Sequence, residues 1–327
     1  MTKNTKKVVC LGGGIGTVNL IKGITGNVGD ITVAVSMADE GGSAGRLRRL
    51  YNIFPPGDIV SCMAAVGSGD NPLISQLLTY RFPGDRYAKD EHLAGHKLGS
   101  LILVAMRDIT GNFEKAIALF QKTFGISGTF LSATTNPVRI SIHTKNGEEV
   151  FGEETIDLGR YDWKAGIEKV HLHPQDSKAN PILLSHLDNA DAIIAGPGDL
   201  YTTILPVLIV PEITKKLQQS KAEKIFIVNV TNKPFETKNY TILDYLSAIK
   251  KHLGFFPFTK VIVNNNFTPQ IPDLYNYSYV AIHTENGGLK KILSSANAKL
   301  IENDLIDEDF PLYHSFSKLA KVIVQEL

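Results

Sequence analysis

The stretch Met37-Ala38-Asp39-Glu40-Gly41-Gly42-Ser43-Ala44-Gly45-Arg46-Leu47-Arg48-Arg49, continued by Pro55-Pro56-Gly57-Asp58-Ile59, sets two acids, three glycines and three arginines where a strand gives way to a helix. These residue types suit a phosphate-bearing ligand. Gly41 and Gly42 allow close backbone approach, the N–H groups at a helix start near Ser43 favour an anion, and Arg46 offers a fork of donors matched to phosphate oxygens. Asp39 and Asp58 would repel a bare phosphate. Either an acid holds a ribose hydroxyl, or a Mg2+ ion sits between carboxylate and phosphate. The structural alternative for Asp58, which follows Pro55-Pro56-Gly57, is a helix cap.

Other turns carry similar chemistry. Gly12-Gly13-Gly14-Ile15-Gly16-Thr17 follows a short apolar run and opens a helix, as in a dinucleotide fold, although the Gly14-x-Gly16-x-x pattern closes on Asn19 instead of Gly or Ala. It reads equally as a phosphate site and as a tight turn. Gly196-Pro197-Gly198-Asp199-Leu200-Tyr201-Thr202 repeats the strand–glycine–helix arrangement, and Asn229 and Thr231 begin a polar loop with amide and hydroxyl groups suited to a base or sugar. His96 stands at a helix start, either as a polar ligand contact or as a satisfied structural histidine. His92 lies four residues earlier, but Gly95 intervenes and no third ligand is evident, which argues against zinc. His171 and His173 share one strand face and read as surface or packing residues.

The elements that would position these groups follow an α/β order. Strands at 7–11, 31–35, 191–195, 224–228 and 260–263 alternate with helices at 18–24, 47–66 (broken at Pro55-Pro56-Gly57), 72–82, 101–107, 113–124, 242–252 and 315–327. A last short strand is expected at 279–282. Residues 84–92 read as a polar loop or lid. Lys145-Asn146-Gly147 between alternating runs signals a β-hairpin, expected as an excursion over 128–158. The predicted architecture is a Rossmann-like three-layer α/β/α domain spanning 1–327, with a mostly parallel sheet and an inserted β-hairpin.

Composition narrows the partners. With 34 basic against 33 acidic residues and a net charge of +1, no global field draws nucleic acid or an anionic membrane, so a small molecule is the expected partner, and the phosphate-type loops make it a nucleotide ligand. No apolar run is long enough to span a bilayer. Met1 to Lys7 lacks the features of a signal peptide, and the two cysteines, Cys10 and Cys62, show neither CxxC nor metal spacing. Together these predict a cytoplasmic protein; a homo-oligomer is allowed.

The segments Gly12 to Thr17, Ala38 to Arg49 with Pro55 to Ile59, His96-Lys97-Leu98-Gly99, Gly196 to Thr202, and Asn229 to Thr237, taken in this order, resemble the YvcK/CofD-like family of gluconeogenesis factors and, more distantly, 2-phospho-L-lactate transferases. The resemblance implies a protein that binds a nucleotide-sugar of the UDP-N-acetylglucosamine type and supports cell shape and wall synthesis during gluconeogenic growth. Its transferase branch implies a Mg2+-dependent transfer from a nucleoside-diphosphate carrier, with Asp39 and Asp58 at the family's metal positions. This chain departs from the family pattern at Glu40, Ala44, Lys97 and Phe235.

Function then divides. Phosphate-type loops occur without a G-x-S-x-G elbow, an HExxH motif or a Cys beside a His, which favours a non-catalytic binding regulator over an enzyme. If turnover occurs, a phospholactyl-type transferase is expected, with Arg46 offsetting developing charge. A NAD-dependent oxidoreductase rests only on the off-pattern glycine loop and the acid after the second strand.

Overall fold

The computed structural model describes residues 5–67, 72–87, 93–283 and 287–327. His92 and the end of the expected lid lie outside them. In chain order the elements are β1 (Val8–Gly12), α1 (Gly14–Ile24), β2 (Ile31–Val35), α2 (Gly42–Tyr51), α3 (Gly57–Val66), α4 (Pro72–Thr79), α5 (Leu98–Thr110), α6 (Phe113–Phe124) and β3 (Thr129–Ser132). An antiparallel section follows: β4 (Arg139–Thr144), β5 (Glu149–Phe151), α7 (Glu153–Asp157) and β6 (Ile167–His173). The chain continues through α8 (Pro181–Asp188), β7 (Ala192–Ala195), α9 (Leu205–Leu208), α10 (Pro211–Gln219), β8 (Glu223–Ile227), β9 (Thr231–Asn232) and α11 (Ile242–Leu253). It ends with β10 (Lys260–Asn264), β11 (Ser278–Tyr279), α12 (Gly287–Ser295), β12 (Lys299–Asn303) and α13 (Phe316–Glu326).

Seven strands form one sheet in the order β12-β10-β8-β7-β1-β2-β3, every pairing parallel. The central strands are near-continuous apolar runs, Val8-Val9-Cys10-Leu11 and Ala192-Ile193-Ile194-Ala195, all buried, as strands covered on both faces require. Flanking helices complete the α/β architecture. From β1 the chain steps to β2 on one side, whereas β7 on the other side leads outward to β8, β10 and β12. The order therefore reverses between β1 and β7, and loops leaving the carboxyl ends of those strands enclose a crevice.

Both edges of the sheet differ from the sequence expectation. Thr129–Ser132, expected within the hairpin excursion, pairs with β2 as an edge of the main sheet. The antiparallel part instead runs from β4 to β6, because β6 pairs along the whole of β4 and turns the hairpin into a three-stranded sheet. The strand expected at 279–282 is Ser278–Tyr279, paired with β9 away from the main sheet, and the outermost parallel strand is β12.

Candidate functional site: a cleft at the switch point

A cleft of about 390 Å3 lies over the carboxyl ends of β1 and β7. The first glycine turn, the start of α2, the start of α3, the Pro197–Asp199 turn and the Asn229–Thr231 loop all line it. Glycine is required where the first turn meets the last one, since a Cβ on Gly16 would sit 2.5 Å from the carbonyl oxygen of Pro197. Thr17 braces the same junction, its Oγ1 accepting from the Gly13 N–H at 2.8 Å and donating to Pro197 O at 3.4 Å. Asn229 Oδ1 accepts from the Gly198 N–H at 2.9 Å, joining the loops after β7 and β8.

Of the residues anticipated from sequence, Gly13, Gly14, Gly16, Asp39, Gly41, Gly42, Ser43, Asp58, Gly198, Asn229 and Thr231 line the cleft. Gly12, Thr17, Arg46, His96, Gly196 and Tyr201 stand behind it. The Arg46 guanidinium is buried and donates to the Ala94 carbonyl, away from the position expected of a phosphate partner. Tyr201 is buried, its hydroxyl 2.9 Å from that of Tyr240 and its N–H donated to Glu236. Buried His96 places its Nδ1 2.7 Å from Ser43 Oγ. Burial first, then the Arg46 and Arg81 charges, push this imidazole down to about 4. It is a weak base that orients the Ser43 hydroxyl.

Asp58 does not cap its own helix. Its Oδ2 accepts from the Gly14 N–H at 2.7 Å, so a carboxylate already occupies an anion position at the start of α1. Asp39 Oδ1 accepts from the Gly41 N–H at 2.9 Å at the start of α2. Burial, and then the Asp58 charge, push Asp39 up to about 7; burial likewise raises Asp58 against the pull of Lys97. Lys97 Nζ donates to Ser61 Oγ at 2.5 Å and lies 3.5 Å from Gly57 O. Two carboxylates, each with one oxygen engaged by a backbone N–H, form a hard-oxygen donor set of the kind Mg2+ accepts.

Several cleft residues carried little sequence signal. Arg81 and Arg86 come from the segment preceding α5, and the Arg86 stem lies across Gly42. Glu153 and Asp157 come from α7, and Tyr277 and Tyr313 from late loops. Arg86 in the polar 84–92 loop, and acids four apart after the hairpin, were the available clues; Arg81 fell in the stretch expected to be helical, but the helix ends at Thr79.

Three departures from the family pattern have local explanations. Glu40 turns away from the cleft to pair with Arg139 at 2.6 Å, while Arg48 donates to Val138 O at 2.7 Å; both fasten the acidic turn to the antiparallel section. Ala44 packs near Gly57, where the starts of α2 and α3 meet. The Phe235 ring lies against Gly159 and 5.7 Å from the Trp163 ring, and Tyr161 donates to Phe235 O at 2.5 Å.

This arrangement has counterparts of known sequence and structure. The family described as 2-phospho-L-lactate transferase CofD matches residues 8–306. The chain belongs to that family. The gluconeogenesis factor of Bacillus subtilis (strain 168) is 38% identical over 273 residues, 84% of this chain and 82% of that protein. The gluconeogenesis factor of Halalkalibacterium halodurans is 34% identical over 324 residues, 98% of this chain and 96% of its own length. A crystal structure of a UPF0052-family protein from Bacillus halodurans superposes with a TM-score of 0.85 at 33% identity, covering 98% of this CofD-family chain and 99% of that one. Among the described residues no helix is long and apolar enough to cross a membrane.

Proposed function

We propose that the cleft binds a nucleoside-diphosphate-linked sugar of the UDP-N-acetylglucosamine type and that the protein acts through this binding as a regulator, without turnover. The observation that carries the reading is the start of α2. There Gly41, Gly42 and Ser43 face the cleft at the positive end of a helix, with the side chains of Arg81 and Arg86 in the same lining. A diphosphate there would leave the sugar and base to Asn229, Thr231 and the tyrosines Tyr277 and Tyr313, which offer amide, hydroxyl and aromatic contacts. The chain's own nucleophiles are poorly armed. Burial raises Cys10 to about 12 and Cys62 well above its usual value, and the base beside Ser43 is weak. Likeness to gluconeogenesis factors along most of the chain supports a role in gluconeogenic growth, to which the family resemblance adds cell shape and wall synthesis.

Isothermal titration with UDP-N-acetylglucosamine and other UDP-sugars tests this. Binding below millimolar is expected, and no binding of any UDP-sugar in that range would overturn it.

A second reading is favoured by the Asp39–Asp58 pair and by the family description. In it the protein is a Mg2+-dependent transferase acting on a nucleoside-diphosphate-linked donor. Asp39 and Asp58 would hold the ion, whose chemistry is to neutralise the diphosphate, while the start of α2 orients the donor. A binding isotherm unchanged by Mg2+ or EDTA, with no transfer to a deazaflavin alcohol, separates the regulator from the transferase.

A further inference from the structure

Beside the Asp39–Asp58 pair stands a second group of acids, of which Asp157 and Asp199 line the same cleft and buried Glu236 lies behind them. Asp157 ends α7, Asp199 belongs to the turn after β7, and Glu236 belongs to the loop after β9. One carboxylate oxygen from each lies within 4.8 Å of the others, close to the spacing that oxygens adopt around a divalent cation with metal–oxygen bonds of about 2.0–2.6 Å. Glu236 is completely buried and rigidly held. Its Oε1 accepts from Thr202 Oγ1 at 2.8 Å and its Oε2 from the Tyr201 N–H at 3.2 Å. Three carboxylates so placed repel one another unless a positive charge stands among them.

That charge is a side chain. Lys233 Nζ pairs with Asp157, with Asp199 at 2.7 Å and with Glu236 at 3.1 Å, and only 12% of the lysine side chain is exposed. We propose that Lys233 is a built-in cation, its ammonium occupying the position where Asp157, Asp199 and Glu236 would otherwise bind a divalent metal ion. Three donors on a compact ammonium match three acceptors from three segments. The two outer acids keep part of their surface in water, 26% for Asp157 and 37% for Asp199, so the single positive charge is needed chiefly by Glu236. The ammonium cross-links the antiparallel section to the switch-point turn, as a structural metal would. Being covalently tethered, it leaves this wall assembled at any metal concentration. The inference stands whichever ligand the cleft takes, because its probe is a metal ion alone.

The test is Mn2+ titration of the full chain, followed by electron paramagnetic resonance and thermal melting. Lys233→Ala is expected to bind one Mn2+ more per chain than the unaltered protein, at least about tenfold more tightly than any site on that wall with lysine present. Mn2+ should also raise the melting temperature of this variant more than that of the parent. Adding Asp199→Asn to Lys233→Ala should abolish the extra ion. If Lys233→Ala folds only when Mn2+ is supplied during refolding, the substitution of metal for ammonium is demonstrated directly. No additional Mn2+ in a folded Lys233→Ala would overturn the proposal. So would a loss of bound Mn2+ when Asp199→Asn is added to a chain already carrying Asp39→Asn and Asp58→Asn, since the wall would then take metal with its lysine in place. A Lys233→Ala chain that folds under neither condition would overturn it too, because Mn2+ offered to the three acids should restore what the ammonium supplied.

Discussion

The starts of α1 and α2 face the same cleft and both follow glycines, yet they are used differently. At α1 the Gly13 and Gly14 N–H groups are taken by Thr17 Oγ1 and Asp58 Oδ2, and Gly16 is pressed against Pro197. The turn that looks most like a phosphate loop is mainly a joint between strands β1 and β7. At α2 the glycines open onto the cleft beside Arg81 and Arg86. A glycine-rich turn therefore marks close approach, and only the neighbouring charges say whether a ligand or another piece of chain does the approaching.

The largest expected effect comes from breaking the α2 side. A Cβ on Gly45 would lie 1.7 Å from the carbonyl oxygen of Glu40, inside the acidic turn. Gly45→Ala should cost about 3 kcal/mol or more, read from chemical denaturation. A Gly45→Ala protein as stable as its parent would show that the turn yields freely.

Next comes the acid that serves α2. Because burial holds Asp39 at about 7 in the folded protein, above an unfolded value near 3.8, the folded state binds the extra proton between those values. Its contribution to stability falls as pH rises through that window and is lowest above about 7. Asp39→Asn should be more stable than the parent at pH 8, by up to a few kcal/mol at about 1.4 kcal/mol per pH unit, and equal to it near pH 3. Melting across pH 3–8 checks the sign.

On the α1 side, Asp58→Ala leaves the Gly14 N–H without its carboxylate, at a cost of about 1–3 kcal/mol. Inorganic phosphate should recover part of that loss if the α1 start is an anion position held by the chain itself. Equal phosphate stabilisation of parent and variant would erase the contrast between the two helix starts. The smallest effect is on binding alone. Arg86 is exposed, so Arg86→Ala should weaken UDP-N-acetylglucosamine by about tenfold in titration while leaving the melting temperature within about a degree.

Most of the sheet could be read from the chain because its inner strands, such as Ile31–Val35 and Lys260–Asn264, are short buried apolar runs between glycine or polar turns. The outermost strand could not. In Lys299–Asn303 only Ile301 is buried, since an edge strand has a neighbour on one side alone and tolerates Lys299, Glu302 and Asn303. Thr129–Ser132 misled in the opposite way, its proximity to the Asn146-Gly147 hairpin masking its partnership with β2. Within the site, glycine and acid motifs adjoining strands were legible. Lys233 and Arg86 were not, because a lone cation in a polar loop looks the same whether it meets solvent or three carboxylates, and Arg81 fell in the stretch expected to be helical.

The central position of β1 has a consequence for how the protein comes into being. Val8 pairs with Ile31 close by and with Ala192 far along the chain. A ribosome-bound fragment ending after α6 can align β1 with β2 yet has no second bank to its crevice, and through that interval the apolar flank of β1 stands open. Binding competence is thus acquired late in synthesis, in the step that also covers the open flank of β1.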